Sequence, residues 1–473
     1  MLRYTRLVPT FTLALLASLI RVPAATSQDQ APAPPSDTLA VTVFEDVNLV
    51  PMDRERVLEG QSVVIRGDRI AEIGARTGVR VPAGARRIDG RGKYLMPGIA
   101  EMHAHVPARD DPVLETVMAL YVLTGATTVR AMMGTPDQLE YRRRIAAGEM
   151  LGPTLFAVGP PFSGKTTHGP EDARGQVREY HAAGFDVLKI YPGLTRAEYD
   201  AILGTARELR MPVSGHVPSS IDVRHAIASG QSIEHLDSYL EDIGGDRRRI
   251  PELVRMTVEA GIWNTPTMDV WKTILGLRDP DSLRRERPEV QYLPHRTVDG
   301  WVGRVRDLRR KNPVRGALER MGLRTSAGEI AALRDTLLRA LNDGGARLLV
   351  GSDSPQVFSV PGFSLAQEME AMVAAGVPPW ALLEAATRNP AEYFGRSDEF
   401  GTVEVGKPAD LILIEGDPIC RHPQRPSPGW CNAARAVAPG RRDRPPTRGN
   451  CPALEVGVRA RCGTGYSGDV DEP

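Results

Sequence analysis

A chain of 473 residues with 41% hydrophobic and 25% charged residues can bury a large core, and its balance excludes wholesale disorder and a multi-span membrane protein. Lys plus Arg equals Asp plus Glu at 59 each, so no global field draws nucleic acid or an anionic membrane to the surface. A small-molecule partner is the remaining expectation.

The first elements are targeting segments. Residues 1–27 read as a signal peptide: Arg3 and Arg6 form a basic start, Leu7 to Ile20 an apolar stretch, and Ala24, Ala25 and Ser27 a small-residue cleavage zone. The competing reading, an uncleaved anchor helix, needs a longer apolar run of about 20 residues. Export to the periplasm or the outside follows, with no stable membrane anchor after cleavage. Residues 28–38 are rich in Pro and Ala without periodicity, as in a linker. Over 39–95, short β-branched runs (LAVTVF, SVVIRG, RIAEIG, GVRVP) are broken by Gly, Asp and Pro, the pattern of a small antiparallel sheet.

Over 96–396 the rhythm changes to short apolar runs alternating with stretches of helical period, the mark of repeated βα units. Eight strands are expected near 96–103, 126–132, 154–159, 185–191, 212–216, 231–235, 262–267 and 346–352. Arg196 to Leu209 is a representative intervening helix, with Ala201, Ile202, Ala206 and Leu209 on one face. The long interval before the last strand, 279–325, is crowded with Arg, Glu and Pro and reads as a solvated helical face; the alternative is a lid carrying a substrate-binding Arg. Strand character returns over 397–420 (GTVEVGKPADLILIEGDP), and 421–473 reads as an irregular or disordered tail. The expected fold is therefore α/β: a (β/α)₈ TIM barrel with a small β-sandwich domain built from the N- and C-terminal segments.

Cys420, Cys431, Cys451 and Cys462 all fall at the end of the chain, away from the histidines. In an oxidising compartment they allow three connectivities, of which Cys420–Cys431 with Cys451–Cys462 is only the nearest-neighbour one.

The chemistry lies at strand ends. Period-two alternation puts His103 and His105 of LMPGIAEMHAHVP on one face at the end of the first barrel strand, where a metal ion can take both imidazoles. Lys189 ends FDVLKIY, His216 ends PVSGH, His235 ends QSIEH and Asp353 ends ARLLVGSD, all at the C-terminal ends of expected strands, where barrel enzymes build their sites.

Taken with the closing GTVEVGKPADLILIEGDP, this set resembles the amidohydrolase superfamily, nearest its imidazolonepropionase-like and prolidase-like branch, over residues 39 to about 418. The resemblance implies a metal-dependent hydrolase of carbon–nitrogen (amide or peptide-like) bonds holding two divalent ions, zinc by expectation. His103, His105 and Asp353 would hold the first ion and His216 and His235 the second, with Lys189, N-carboxylated by carbon dioxide, bridging them. A hydroxide shared by the two ions would attack a small substrate, and Asp353 would accept its proton and pass it to the leaving amine. His168, after the third strand, and Tyr191, two residues beyond Lys189, are candidate substrate-binding groups. His181, His225, His295 and His422 are assigned no function. A mononuclear deaminase or isomerase-type relative and a catalytically silent binding protein are the alternatives.

Three features depart from the family pattern. Pro218 stands where prolidase-like relatives carry a tyrosine, and Ser219 where deaminase branches carry a glutamate; TTVRAMMG lacks the expected acidic residue after the arginine. The tail also lacks a closing strand, so it is read either as a shifted reading frame or as a disulfide-bearing extension. Substrate and oligomeric state are not legible.

Overall fold

The computed structural model describes residues 40–276, 278–311 and 326–419. The expected signal peptide, linker, four cysteines, His422 and tail lie outside the described residues. Among the described residues no helix is long and apolar enough to cross a membrane.

The accessory domain is built from β1 (Val41–Leu49), β2 (Leu58–Arg66), β3 (Arg69–Ala75), β4 (Arg86–Asp89), β5 (Lys93–Pro97) and the late strand β14 (Leu411–Glu415). Its order is β14-β5-β1-β2-β3, with β4 also on β1. The expected all-antiparallel pairing needs correction, because β1 runs parallel to both β4 and β5. Register shifts between Phe44 and Val47 and between Val47 and Leu49 let β1 change partner along its length. The expected returning segment is β14, antiparallel to β5 with Leu411 opposite Pro97 and Ile414 opposite Tyr94. Phe44, Leu49, Val63, Leu95 and Leu411 meet in one apolar cluster, which ties the two ends of the described chain together.

All eight barrel strands appear where the apolar runs predict them: β6 (Ile99–Ala104), β7 (Ala126–Ala131), β8 (Thr154–Ala157), β9 (Leu188–Ile190), β10 (Val213–Gly215), β11 (Ser232–Glu234), β12 (Trp263–Thr265) and β13 (Arg347–Leu348). They pair in parallel as β6-β7-β8 and β9-β10-β11-β12-β13. Parallel bridges Val158↔Val187 and Ala104↔Ser354 join the two groups at both seams, so the strands follow one another around a ring.

The connecting helices are α1 (Leu114–Leu123), α2 (Asp137–Ala146), α3 (Pro170–Ala183), α4 (Arg196–Leu209), α5 (Val223–Ser229), α6 (Asp237–Ile243), α7 (Ile250–Ala260) and α8 (Met268–Ile274). Helix α4 has the predicted bounds and starts in a capping box: the Thr195 hydroxyl accepts from Glu198 N–H while the Glu198 carboxylate accepts from Thr195 N–H. Ile202 and Ala206 of its apolar face are buried against the ring.

In the long insertion, α9 (Pro280–Glu286) and α10 (His295–Lys311) are followed by α11 (Ala327–Asp343), and α12 (Phe363–Ala375), α13 (Pro379–Ala386) and α14 (Arg388–Tyr393) complete the barrel. The insertion is more than a solvated face. Leu283, Val298, Val302 and Val305 pack with Val357, Phe358 and Val360 from the loop that follows Asp353. Arg287 is buried too: its Nη1 donates to the Phe358 carbonyl at 2.8 Å and its Nη2 pairs with Asp269 at 2.5 Å. That arginine is a brace, with both ends occupied by protein, which corrects the solvated reading and leaves the substrate-binding alternative without support at this residue.

Candidate metal centre

The six strand-end residues converge on one side of the ring. Asp353 Oδ1 lies 3.0 Å from His105 Nε2 and 3.5 Å from His103 Nε2. The ring centroids of His103 and His235 are 4.7 Å apart, and those of His235 and His216 are 4.6 Å apart. Lys189 is buried in β9, opposite Ser214 of β10, and its charge acts on His103, His216 and His235. Ligand atoms of His103, His235 and Asp353 all lie within 4.8 Å of one another, the spacing of a group that can share a cation.

Backbone geometry puts them there. His235, Leu236, Thr267 and Asp353 all take left-handed φ values, between 48° and 77°, so the chain turns sharply as it leaves β11, β12 and β13. Gly351 makes the last approach possible, because a Cβ there would sit 2.6 Å from Thr265 Cγ2 and 2.7 Å from His103 Cβ. Glu101 ties β6 to the segment carrying Asp353: its Oε1 accepts from the N–H groups of His103 and Ser352, both at 2.9 Å, and its Oε2 from the Ser352 hydroxyl.

The electrostatics favour ligands over acids. Burial holds His103 and His235 well below the usual histidine value, and burial with the Lys189 charge brings His216 down to about 3. All three imidazoles are therefore neutral at physiological pH and offer lone pairs. Burial also brings the Lys189 amine down to about 8, which raises its neutral, nucleophilic fraction.

His103 Nδ1 is engaged by Glu234 at 2.7 Å and His235 Nδ1 by the Thr267 hydroxyl at 2.8 Å. A proton on Nδ1, toward the Glu234 carboxylate, would leave the His103 Nε2 lone pair facing the Asp353 oxygen. Both atoms are buried, and neither has a hydrogen-bond partner. Two facing acceptors repel unless a cation sits between them, so the donor set fits a metal ion.

The sequence model of the Amidohydrolase family matches residues 94–442. The chain belongs to the amidohydrolase family. Among family relatives, the adenine deaminase of Rubrobacter xylanophilus is 23% identical over 390 residues, covering 80% of this chain and 55% of its own length; the chain thus spans about half of that relative. A solved Xaa-Pro dipeptidase with methionine in its active site is 21% identical at a TM-score of 0.59, covering 80% of this chain and 95% of its own. Bottromycin amidohydrolase is 23% identical at a TM-score of 0.63, covering 83% and 84%. These structural likenesses carry the fold.

The two candidate substrate groups separate in space. Tyr191 stands 38% exposed at the mouth, its ring edge-on to His216 at 5.2 Å between centroids. His168 is exposed; its N–H donates to Asp172 at the start of α3, its charge acts on Glu198, and no described contact joins it to the histidine cluster. Of the histidines assigned no function, His225 pairs with Asp200 at the surface, while His181 and His295 are exposed.

Sequence reasoning missed the braces, Glu101, Arg130, Glu234, Thr267 and Arg334. Arg130, in the strand whose departure from pattern had no reading, is fully buried and reaches β10, β11 and β12 across the ring. A signal existed, since Glu101, Arg130 and Glu234 are charged residues inside otherwise apolar strand runs. Charges are almost never buried there unless paired.

Proposed function

We propose that the protein is an exported, binuclear metal-dependent hydrolase that cleaves a carbon–nitrogen bond, amide or peptide-like, in a small substrate. The observation that carries the reading is the pair of buried atoms His103 Nε2 and Asp353 Oδ1, neither in a hydrogen bond, facing each other at 3.5 Å with His105 Nε2 3.0 Å from the same oxygen. Family membership supports the same chemistry, since amidohydrolases as a group bind metal.

His103, His105 and Asp353 would hold one divalent ion and His216 and His235 a second, both zinc by preference for nitrogen and oxygen donors in this geometry. Lys189 would bridge them after its neutral amine adds to carbon dioxide, giving an N-carboxylate with loss of one proton. When bound, the ions acidify a water molecule and polarise the scissile carbonyl. Asp353, adjoining His103 and His105, takes the proton from the attacking water and returns it to the departing amine, so that nitrogen leaves neutral. Tyr191, beside His216, would donate its hydroxyl to the carbonyl oxygen as negative charge develops there. Export rests on the basic, apolar and small-residue order of residues 1–27.

Elemental analysis of purified protein together with a screen of dipeptides, N-acyl amino acids and lactams tests the reading. Two ions per chain and turnover of an amide are expected. One ion per chain with release of ammonia from an aminopurine would instead favour a mononuclear deaminase, and deamination is the activity that the name of the adenine deaminase relative suggests. Protein that takes up no divalent metal overturns both.

A further inference from the structure

Beneath the histidine cluster lies a buried charge pair that the proposed chemistry does not use. Glu234 and Arg130 are both fully buried, and Arg130 Nη2 donates to Glu234 Oε1 at 2.6 Å. The same Oε1 accepts from the Ser214 hydroxyl. Arg130 is held independently: Nε donates to the Met102 carbonyl at 2.6 Å, Nη2 reaches Thr265 Oγ1 at 3.2 Å, and the guanidinium lies 5.0 Å from the Tyr393 ring centroid. With two donors on Oε1, Glu234 has Oε2 left for His103 Nδ1, at 2.7 Å.

We infer that Glu234 is a positioning residue that fixes the His103 tautomer, and that Arg130 is the counter-charge that allows a carboxylate to stand there. The inference rests on the reading of the cluster as a metal centre. A neutral imidazole has one N–H. A carboxylate offers only acceptors to Nδ1, so the proton stays on Nδ1 and the Nε2 lone pair is directed toward Asp353 and the ion. The negative charge behind the ring also raises its donor strength. Without Arg130, Glu234 Oε1 would keep only the Ser214 hydroxyl, leaving a buried carboxylate without its counter-charge.

Glu234→Gln tests this directly. Arg130 and Ser214 hold the amide oxygen, the amide nitrogen faces Nδ1, and the proton is driven to Nε2. Zinc affinity measured by competition with a chromophoric chelator should fall about 10–100-fold. Because this variant leaves the Arg130 charge unpaired and can fail to fold, the double variant Arg130→Met with Glu234→Leu removes both charges and the acceptor. It should show a loss of similar size with an unchanged circular dichroism spectrum.

A third readout needs no change at these positions. In metal-free protein labelled with ¹⁵N-histidine, the imidazole signal that disappears in His103→Asn should report a proton on Nδ1. A folded double variant with wild-type zinc affinity overturns the inference, as does a proton on Nε2 in the wild type. If wild-type protein takes up no zinc, the metal reading fails by itself, and the tautomer measurement still decides whether Glu234 controls His103.

Discussion

Replacing Asp353 with Asn separates the two states of the centre by the sign of its effect. The backbone is held constant, since φ at this residue is 59° and Asn and Asp both tolerate the left-handed region. In metal-free protein the Asp353 oxygen faces His103 Nε2 at 3.5 Å and His105 Nε2 at 3.0 Å without a hydrogen bond to either. An amide N–H in its place makes a hydrogen bond worth about 0.5–1.5 kcal/mol. The metal-free variant should therefore be more stable than wild type by roughly that amount. With zinc at about a thousand times its dissociation constant, the ion stabilises the wild type by about 4.1 kcal/mol. Loss of an anionic ligand that weakens affinity by about 10–100-fold cuts this to about 1.4–2.7 kcal/mol. Urea unfolding of both proteins, with chelator and with zinc, reads all four numbers. A metal-free variant less stable than wild type, or an undiminished zinc increment, would refute the reasoning.

Other perturbations probe the frame around the site. Arg287→Met frees the Phe358 carbonyl and leaves Asp269 only Arg278, at 2.9 Å, so urea unfolding should show a loss of about 3 kcal/mol; a loss below about 0.5 kcal/mol would mean the insertion is not braced there. Gly351→Ala drives a methyl against Thr265 and His103, costing about 1–3 kcal/mol and weakening zinc binding in a chelator titration, and unchanged zinc affinity would show that His103 has room to yield. Burial pushes the Glu368 carboxyl from its ordinary 4.5 up to about 8 in the folded protein, against the pull of the N–H groups of Met268 and Asp269 that it accepts. A raised folded value means stability that is full below pH 4.5 and lost as pH rises through 8. The stability difference between wild type and Glu368→Gln should therefore shift steadily against wild type from pH 5 to pH 8, and a pH-independent difference would contradict it.

The barrel was legible because each strand is a short apolar run whose alternation with helical period needs no knowledge of distant residues. The ligand candidates were legible for the same reason, as polar residues that end such runs. What holds them was not. Glu234 meets His103 across 131 positions of sequence and Arg130 across 104, so SIEH and TTVRAM each show a charge in an apolar run but not which partner it meets. The parallel pairing of β1 was hidden likewise, since β-branched runs specify strands but not their direction. His168 is a loop position that stands exposed, with its backbone N–H held by Asp172. In the insertion, composition recorded the charged face of α10 and obscured Val298, Val302 and Val305 beneath it.

The braces explain why strained turns can persist at the mouth. Left-handed backbone at non-glycine residues costs on the order of 1–3 kcal/mol each, and His235, Leu236, Thr267 and Asp353 all adopt it. His235, Thr267 and Asp353 are tied to neighbouring elements. Arg334 reaches from α11 to donate to the carbonyls of His235 and Pro266, and its guanidinium lies 4.5 Å from the Trp271 ring centroid. The Thr267 hydroxyl engages His235 Nδ1, and Asp353 N–H donates to the His103 carbonyl at 2.9 Å. Folding thus covers the cost of placing the ligands before any cation arrives. In the proposed centre, binding would then not spend affinity on ordering them, and the same rigidity keeps Asp353 within reach of both His103 and His105, as its proposed part as proton carrier requires.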